Sequence, residues 1–395
     1  MEFRLGEHQQ VLQRAVREFA EAEIRPFVLQ WDEAQHFPSE LVPRLAAMGL
    51  MGVRVPEEYG GAGMTALEYC LCIEELARVC AGVALSVIAH NGLCAAHVLR
   101  AGTPAQKERY LIPLASGRHV GAWGLTEASS GSDAASMRTV ATATDDGWVL
   151  NGAKVFVTNG RVGDVLVIMA RTDPRGGSRG VSAFIVERGT PGLTSGTKAN
   201  KLGMRASDTS EVVLQDCHVS RDQLLGVEGA GFADAMAVLD AGRIGIAALS
   251  VGLAQGAFEA ALTYSMTRSS FGQPIANHQA IQWKLADNAT QIDAARLLTY
   301  RAATTLDARE PIALRAAMAK LFASEMAVRV AEDCVQIHGG YGFVKDYPAE
   351  KYFRDVKLTT IGEGTSEIQR MVIARHLVRA AMERHANGAP GVDGR

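Results

Sequence analysis

Apolar residues change their spacing twice along this chain, and that change limits the possible folds more than any other feature. Up to about residue 118 they recur at three- and four-residue steps, so that Val11, Leu12, Val16, Phe19 and Ala20 share one helix face. Gly52 and the cluster Gly60-Gly61-Ala62-Gly63 break these helices as loops. From residue 119 to about 226 the runs become short and alternating. Trp148-Val149-Leu150 and Val155-Phe156-Val157 flank a stretch opening with Asn151-Gly152, which predicts a hairpin; residues 165–169 and 181–186 continue the strand pattern. Beyond residue 227 long alanine-rich helices return, over 243–267 and 277–306. The expected class is α+β, with an N-terminal helical domain (1–118), a central antiparallel β-barrel-like domain (119–226) and a C-terminal helical domain (227–383). Long helices with short connections make that last part a four-helix bundle. A tail at 384–395, rich in Gly and Pro, is expected to be disordered.

Composition narrows the function. With 48% hydrophobic and 21% charged residues the chain can bury a large core, yet no run approaches the roughly 18 unbroken apolar residues of a membrane span. A net charge of −3 leaves no basic surplus for nucleic acid or acidic lipid. The start, Met1-Glu2-Phe3-Arg4-Leu5, has no apolar signal core. Cys70, Cys72, Cys80, Cys94, Cys217 and Cys334 form no Cys-x-x-Cys pair and read as buried or free thiols in a reducing compartment. The histidines show no metal-ligand spacing, so no metal is expected. A soluble cytoplasmic protein is the expectation.

The segment Thr360-Ile361-Gly362-Glu363-Gly364-Thr365-Ser366-Glu367-Ile368-Gln369-Arg370 places a carboxylate between two glycines, where the backbone can turn sharply and approach a ligand. A helix start follows: Ser366 and Gln369 fit a capping box ahead of Met371-Val372-Ile373. A carboxylate beside an anion-attracting helix N-terminus suits a general base next to a phosphate-bearing ligand. By itself the segment reads more readily as an ordinary inter-helix turn with a solvent-facing Glu.

The rest of the chain decides between these readings. Residues 124–133 (GLTEASSGSD) and 336–343 (QIHGGYGF) resemble the two signatures of the acyl-CoA dehydrogenase family. Asp240-Ala241-Gly242-Arg243, Arg268-Ser269-Ser270-Phe271-Gly272 and the Glu363 turn fall in the order of that family's other functional segments. The resemblance runs from about Leu5 to Leu377 and is closest to the short- and branched-chain members. It implies the same three-part fold, with FAD lying between the β-domain and the C-terminal bundle.

The implied reaction is α,β-dehydrogenation of an acyl-CoA. A carboxylate must take a weakly acidic α-proton, and because no side chain accepts hydride a flavin is needed. The resemblance makes Glu363 the base. Some members carry the base at the position held here by Gly242, and a glycine cannot abstract a proton. It places Leu125, Thr126, Ser132, Phe156 and Thr158 at the flavin ring. Arg268, Phe271, Gln279, Gln336, Gly339, Gly340, Thr365 and Glu367 reach the rest of FAD, partly from a neighbouring subunit of a homotetramer built as a dimer of dimers. Ser132, Asp240, Arg243 and Gly364 are placed against the acyl-CoA, and electron transfer flavoprotein takes the electrons. Residues 85–90, expected to line the acyl tail, carry no Arg or Lys for a terminal carboxylate; Gly362 stands where straight-chain members often have Tyr. A short, medium or modestly branched acyl chain fits, in fatty-acid β-oxidation. The competing readings are a flavin oxidase or monooxygenase on the same fold, which needs no carboxylate here, and a non-catalytic acyl-CoA-binding module.

Overall fold

The computed structural model describes residues 4–386. In the first helix, Glu7–Glu23, Val16 and Ala20 are buried while Val11 is exposed. At ~100° per residue Val11 lies roughly 140° round the helix from Val16, so the apolar stripe is narrower than expected. The 23-residue helix Ala66–Ile88 opens on a reciprocal cap: Thr65 Oγ1 accepts from the Glu68 N–H at 3.2 Å and Glu68 Oε2 accepts from the Thr65 N–H at 2.8 Å. Its backbone breaks at Cys80 (φ −146°, ψ 98°), and beyond Ile88 it widens into a π-helical turn, Ala89–Ala95. Wide turns of this kind recur at functional sites.

The longest element, Gly231–Thr267, is long and apolar enough by composition to cross a membrane, yet 72% of its most apolar stretch is buried inside the protein. It packs against both Ala66–Ile88 and Ala313–His338, so the two helical regions share one core. Gly252 and Gly256 allow the close approach. A Cβ at Gly252 would fall 2.1 Å from the Glu74 carbonyl oxygen, and one at Gly256 2.2 Å from that of Arg78. Gln279–Asp307, Ala313–His338 and Ser366–Ala386 complete the C-terminal bundle. The last helix runs through Ala386, past the expected start of the tail at 384; residues 387–395 lie outside the described residues.

Eight strands form the central sheet: β1 (Gly121–Gly124), β2 (Val140–Ala143), β3 (Gly147–Thr158), β4 (Val165–Arg171), β5 (Val181–Glu187), β6 (Leu193–Lys198), β7 (Thr209–Ser220) and β8 (Leu224–Leu225). Their order is β6-β7-β3-β2-β4-β5-β8, with β1 also on β4. Pairing is antiparallel except at β4, which runs parallel to β1 and meets β2 in parallel at Val140–Arg171. The expected hairpin at Asn151-Gly152 is absent, because β3 runs unbroken through it. Asn151 instead exchanges hydrogen bonds with Asp216 of β7, at 3.1 and 2.8 Å. Gly152 (φ 149°) sits at a register slip where a Cβ would lie 2.7 Å from Thr139 Cα. Close approach of Thr139, just before β2, and not a turn, requires that glycine.

Two polar side chains dock the sheet onto the helices. Asn159 Nδ2 donates to the carbonyls of Ser86 (3.1 Å) and Gly121 (3.0 Å). His90 Nδ1 accepts from the Gly121 N–H at 2.9 Å, and Nε2 faces the Met51 carbonyl at 2.8 Å. Burial pushes the His90 pKa down to about 4, so the ring is neutral and donates to Met51.

Inside the sheet Lys154 is completely buried. Its Nζ donates to Glu127 Oε1 at 2.6 Å and to the Leu125 carbonyl at 3.2 Å. Glu127 also accepts from the N–H groups of Arg138 (2.6 Å) and Thr139 (2.9 Å), so one ion pair pins both ends of the 125–139 segment to β3. Burial lowers the Lys154 pKa to about 8 against the pull of Glu127. Burial opposes ionisation of Glu127 too, but Lys154 and the donors outweigh it and hold its pKa below the usual value.

Lys154→Met should therefore strand a buried carboxylate and destabilise by about 3–5 kcal/mol, whereas adding Glu127→Gln should recover most of the loss. Urea unfolding midpoints rank the three proteins; a single variant as stable as the parent would refute this account of the segment.

Candidate active site

The Glu363 turn is held in an uncommon backbone conformation. Glu363 has φ 53° and Gly364 φ 94°, and a non-glycine residue in the left-handed region is strained by about 1–3 kcal/mol unless its surroundings impose it. Two donors do so: Lys320 Nζ at 2.7 Å and Gln369 Nε2 at 2.9 Å both bond the Gly364 carbonyl oxygen. The expected Ser366/Gln369 capping box is not formed. Thr365 caps the helix instead, its Oγ1 accepting from the Ile368 N–H at 3.3 Å; the Ser366 hydroxyl is buried without a partner, and Gln369 reaches back to the turn.

From this turn the Glu363 carboxylate lies over Gly242 of the central helix. A Cβ at Gly242 would sit 2.2 Å from Glu363 Oε2 and 3.3 Å from Leu93 Cδ2. Oε2 is buried and has no hydrogen-bond partner. Burial pushes the Glu363 pKa up to about 7, while the nearby charges of Lys320 and Arg243 pull it down. Arg243 bonds Asp240 through Nη1 at 2.5 Å and leaves its buried Nε unpaired. Burial lowers the Lys320 pKa to about 8, with Glu363 opposing the shift. A buried carboxyl poised near neutrality beside two cations is what a general base requires.

Of the sequence-predicted residues, Glu363, Gly364, Thr365, Asp240 and Arg243 thus come together. Lys320 belongs to the same group and was missed, as was Tyr69, whose buried, unpartnered hydroxyl lies 3.4 Å from where a Cβ at Gly245, three residues on from Gly242, would sit. Lys320 had a signal: it is the one charge on the buried Ala316, Ala319, Ala323, Ala327 face of Ala313–His338. Tyr69 had none, being an aromatic in an apolar helix.

A second group forms on the β-domain. The Thr126 carbonyl accepts from the Val155 N–H at 2.9 Å, which brings Leu125 and Thr126 beside Phe156. Read alone, Phe156 would be strand core; it is 74% exposed, at φ 57° within the β3/β7 register slip between Lys154 and Val157. Thr158 is half-buried and Ser132 exposed. A third group lies on the C-terminal helices. The Arg268 guanidinium sits 5.8 Å from the Tyr341 ring centre, so the Arg268–Phe271 segment adjoins the 336–343 loop. Phe271 is 94% and Phe343 88% exposed, Gln279 and Gln336 are exposed, and around Gly339 and Gly340 a Cβ would meet nothing; Glu367, also exposed, stays with the Glu363 turn four residues before it. Among the described residues no hydrogen bond or ion pair joins this third group to Glu363 within one chain. A cleft of about 600 Å³ bordered by Arg25, Arg78, Arg268 and Tyr341 lies apart from Glu363. Glu21 already pairs with Arg25 and Arg78 there, which leaves the Arg268 guanidinium as the cleft's unpaired cation among the described residues.

An aromatic face offered to solvent, open glycine backbone and a free guanidinium fit a ring system and a pyrophosphate.

Comparison with known proteins gives a consistent picture. Residues 6–118, 122–217 and 229–378 match the N-terminal, middle and C-terminal domains of acyl-CoA dehydrogenase. The short-chain specific acyl-CoA dehydrogenase of Clostridium acetobutylicum is 45% identical over 379 residues, 96% of this chain and 100% of that protein. The solved butyryl-CoA dehydrogenase of Megasphaera elsdenii superposes with a TM-score of 0.94 at 44% identity, covering 96% of this chain and 100% of its own. A chain from a structure described as the electron transferring flavoprotein of Acidaminococcus fermentans superposes at 0.95 with 46% identity, over 96% of this chain and 100% of that one.

The raised Glu363 pKa has a consequence for stability. Folding favours the protonated carboxyl, so this contribution is complete below about pH 4.5 and is lost as pH rises through about 7. At roughly 1.4 kcal/mol per pH unit the loss amounts to about 3 kcal/mol. Glu363→Gln removes it: the variant should match the parent near pH 4.5 and exceed it at pH 8. Melting temperatures at the two pH values test this, and parallel pH dependences for the two proteins would contradict it.

Proposed function

This chain belongs to the acyl-CoA dehydrogenase family, and on that premise we propose that it oxidises the Cα–Cβ bond of a short-, medium- or branched-chain acyl-CoA to the trans-2-enoyl-CoA. FAD is its cofactor, and electron transfer flavoprotein receives the electrons. The observation that carries this reading is the Glu363 carboxylate, its Oε2 buried and unpartnered against Gly242 and its pKa pushed up to about 7. A solvent-facing turn residue would be hydrated and bonded, and a non-catalytic module has no use for a strained, orphaned base. A flavin oxidase needs none at this position.

Glu363 takes the α-proton on its free oxygen. Its backbone N–H polarises the thioester carbonyl, which acidifies that proton. Lys320 fixes the turn through Gly364, and its charge and that of Arg243 keep the base from becoming too weakly acidic to ionise at neutral pH. FAD supplies the acceptor for the hydride leaving the β-carbon. We assign Leu125, Thr126, Ser132, Phe156 and Thr158 to its ring, and Arg268, Phe271, Gln279, Gln336, Gly339, Gly340, Thr365 and Glu367 to the remainder. Ser132, Asp240, Arg243 and Gly364 receive the acyl-CoA.

Separation of the third group from Glu363 supports a site completed between subunits. Trp283, Met371, Leu377, Val378 and Met382 expose further apolar surface on the same helices, as an oligomer interface does. We therefore propose a homotetramer, a dimer of dimers, with three intramolecular regions bounded near 118 and 226. Six buried free thiols favour a reducing, cytoplasmic setting, and β-oxidation is the matching metabolic role.

Glu363→Gln should bind FAD and acyl-CoA yet reduce its flavin about two to four powers of ten more slowly, the usual worth of a general base. Glu363→Gly combined with Gly242→Glu should regain part of the rate, since both positions reach one point. Anaerobic stopped-flow bleaching by acyl-CoA measures all three, and a parent-like rate in Glu363→Gln would move the base elsewhere. Sedimentation of the flavin-loaded enzyme should give a tetramer; an active, flavin-loaded monomer would overturn the shared site.

A further inference from the structure

Lys154 holds more than its ion pair with Glu127. Its stem lies close against the chain at Gly124, where a Cβ would fall 3.1 Å from Lys154 Cγ and 2.8 Å from Ile168 Cδ1. Glycine at 124 lets the side chain pass β1 and reach the residues that follow it. There the ammonium, with no exposed surface, divides its protons between Glu127 Oε1 at 2.6 Å and the Leu125 carbonyl at 3.2 Å. Glu127 alone would balance the charge. The second bond grips the backbone.

A peptide unit is planar and trans, so its carbonyl and its N–H point in opposite directions. The Leu125 carbonyl and the Thr126 N–H belong to one such unit. With the carbonyl drawn into the sheet interior by Lys154, the Thr126 N–H faces away from that interior. Among the described residues no protein acceptor meets it. The next carbonyl, that of Thr126, is tied to the Val155 N–H at 2.9 Å, and Val155 precedes the solvent-facing Phe156. Thr126 itself is only partly buried. A donor fixed by both flanking carbonyls is thus left open, beside the strand from which Phe156 emerges.

We infer that Lys154 is a positioning residue for the flavin: through the Leu125–Thr126 peptide it aims and polarises the Thr126 N–H against the ring, and so favours the ring's reduced state. The inference rests on the reading above, in which Leu125 and Thr126 lie at the flavin ring. Reduction places negative charge on the N1 and O2 edge of a flavin, and protein groups near that edge tune its electronics. A cation on the carbonyl end of an amide makes the N–H end a stronger donor, because hydrogen bonds in series polarise one another. Glu127 offsets the buried cation, so the pair adds little net charge and acts through the peptide.

The test is the reduction potential of bound FAD, read by equilibrating the anaerobic enzyme with a dye of known potential. A hydrogen bond to a charged acceptor is worth about one to two powers of ten. Lys154→Met combined with Glu127→Gln removes the cation and its countercharge together and leaves no carboxylate stranded, so most of the stability is retained. Its preference for reduced over oxidised FAD should fall about tenfold, which lowers the potential by about 30 mV for a two-electron couple. Gly124→Ala keeps both charges but pushes on the Lys154 stem, its nearest contacts being side-chain atoms. It should shift the potential in the same direction by a smaller amount. A Lys154 that merely staples the segment would weaken binding of both redox forms alike and leave the potential where it was. FAD held by both variants at the parent's potential overturns the assignment. If the double variant loses its fold, Gly124→Ala decides alone, and an unchanged potential there overturns the assignment too. A parent that binds no FAD overturns the dehydrogenase reading itself.

Discussion

Close approach to one face of the central helix is the constraint on which the rest depends. At ~100° per residue Gly242, Gly245, Gly252 and Gly256 of Gly231–Thr267 fall within roughly 80° of one another. Against them lie, in order, the Glu363 carboxylate, the Tyr69 hydroxyl and the backbones of Glu74 and Arg78. The last two glycines seat Ala66–Ile88 directly on the central helix. The first two leave room on the same face for a base and, in our reading, for substrate. Each glycine inside a helix is less favourable than alanine by about 0.5–1 kcal/mol, and dense contact with a neighbouring helix offsets that. Packing and chemistry are thus two uses of one stripe.

Charge follows the same division between support and function. Where buried charges hold the scaffold they are fully partnered. Arg78 meets Glu21, Glu75 and Glu259, and Lys154 meets Glu127 and the Leu125 carbonyl. Around Glu363 they are not: its Oε2, the Arg243 Nε and the Tyr69 hydroxyl are all buried without partners. Unsatisfied buried polar groups are unfavourable by about 1–3 kcal/mol each, and the Glu363 oxygen and the Arg243 Nε stand where, in our reading, the acyl-CoA is received. Lys320 belongs to both sets, since its ammonium is satisfied by the Gly364 carbonyl while its charge serves Glu363.

Much of this was legible in the residues themselves. The two changes of periodicity correspond to helices, sheet and helices in the fold, and the Glu363 turn stood out through its flanking glycines. Readings that failed share a cause: each took a local pattern at face value where a tertiary contact decided. Asn151-Gly152 looks like a hairpin until Thr139 of the neighbouring segment presses on Gly152. Ser366 and Gln369 look like a capping box until Gln369 is drawn back to the Gly364 carbonyl. Tyr69 lay beyond reach altogether, because nothing in an apolar helix reveals that a hydroxyl is left without a partner.

In our reading Glu363 is the base, and its contact with Gly242 explains why carboxylates cannot stand at both positions. A side chain at 242 begins within 2.2 Å of the Glu363 oxygen, so the two positions compete for a single volume. If both were carboxylates, like charge at that distance would force them to share a proton, and the pair would titrate together with one member held neutral. Neither would then be a free base near neutral pH. Glycine at 242 removes the competitor and the steric block in one substitution. It also leaves Lys320 and Arg243 with a single carboxylate to influence, which is why burial can raise the Glu363 pKa only to about 7 and not beyond use. The absence of a side chain at one position leaves room for the carboxylate of another 121 residues away in sequence.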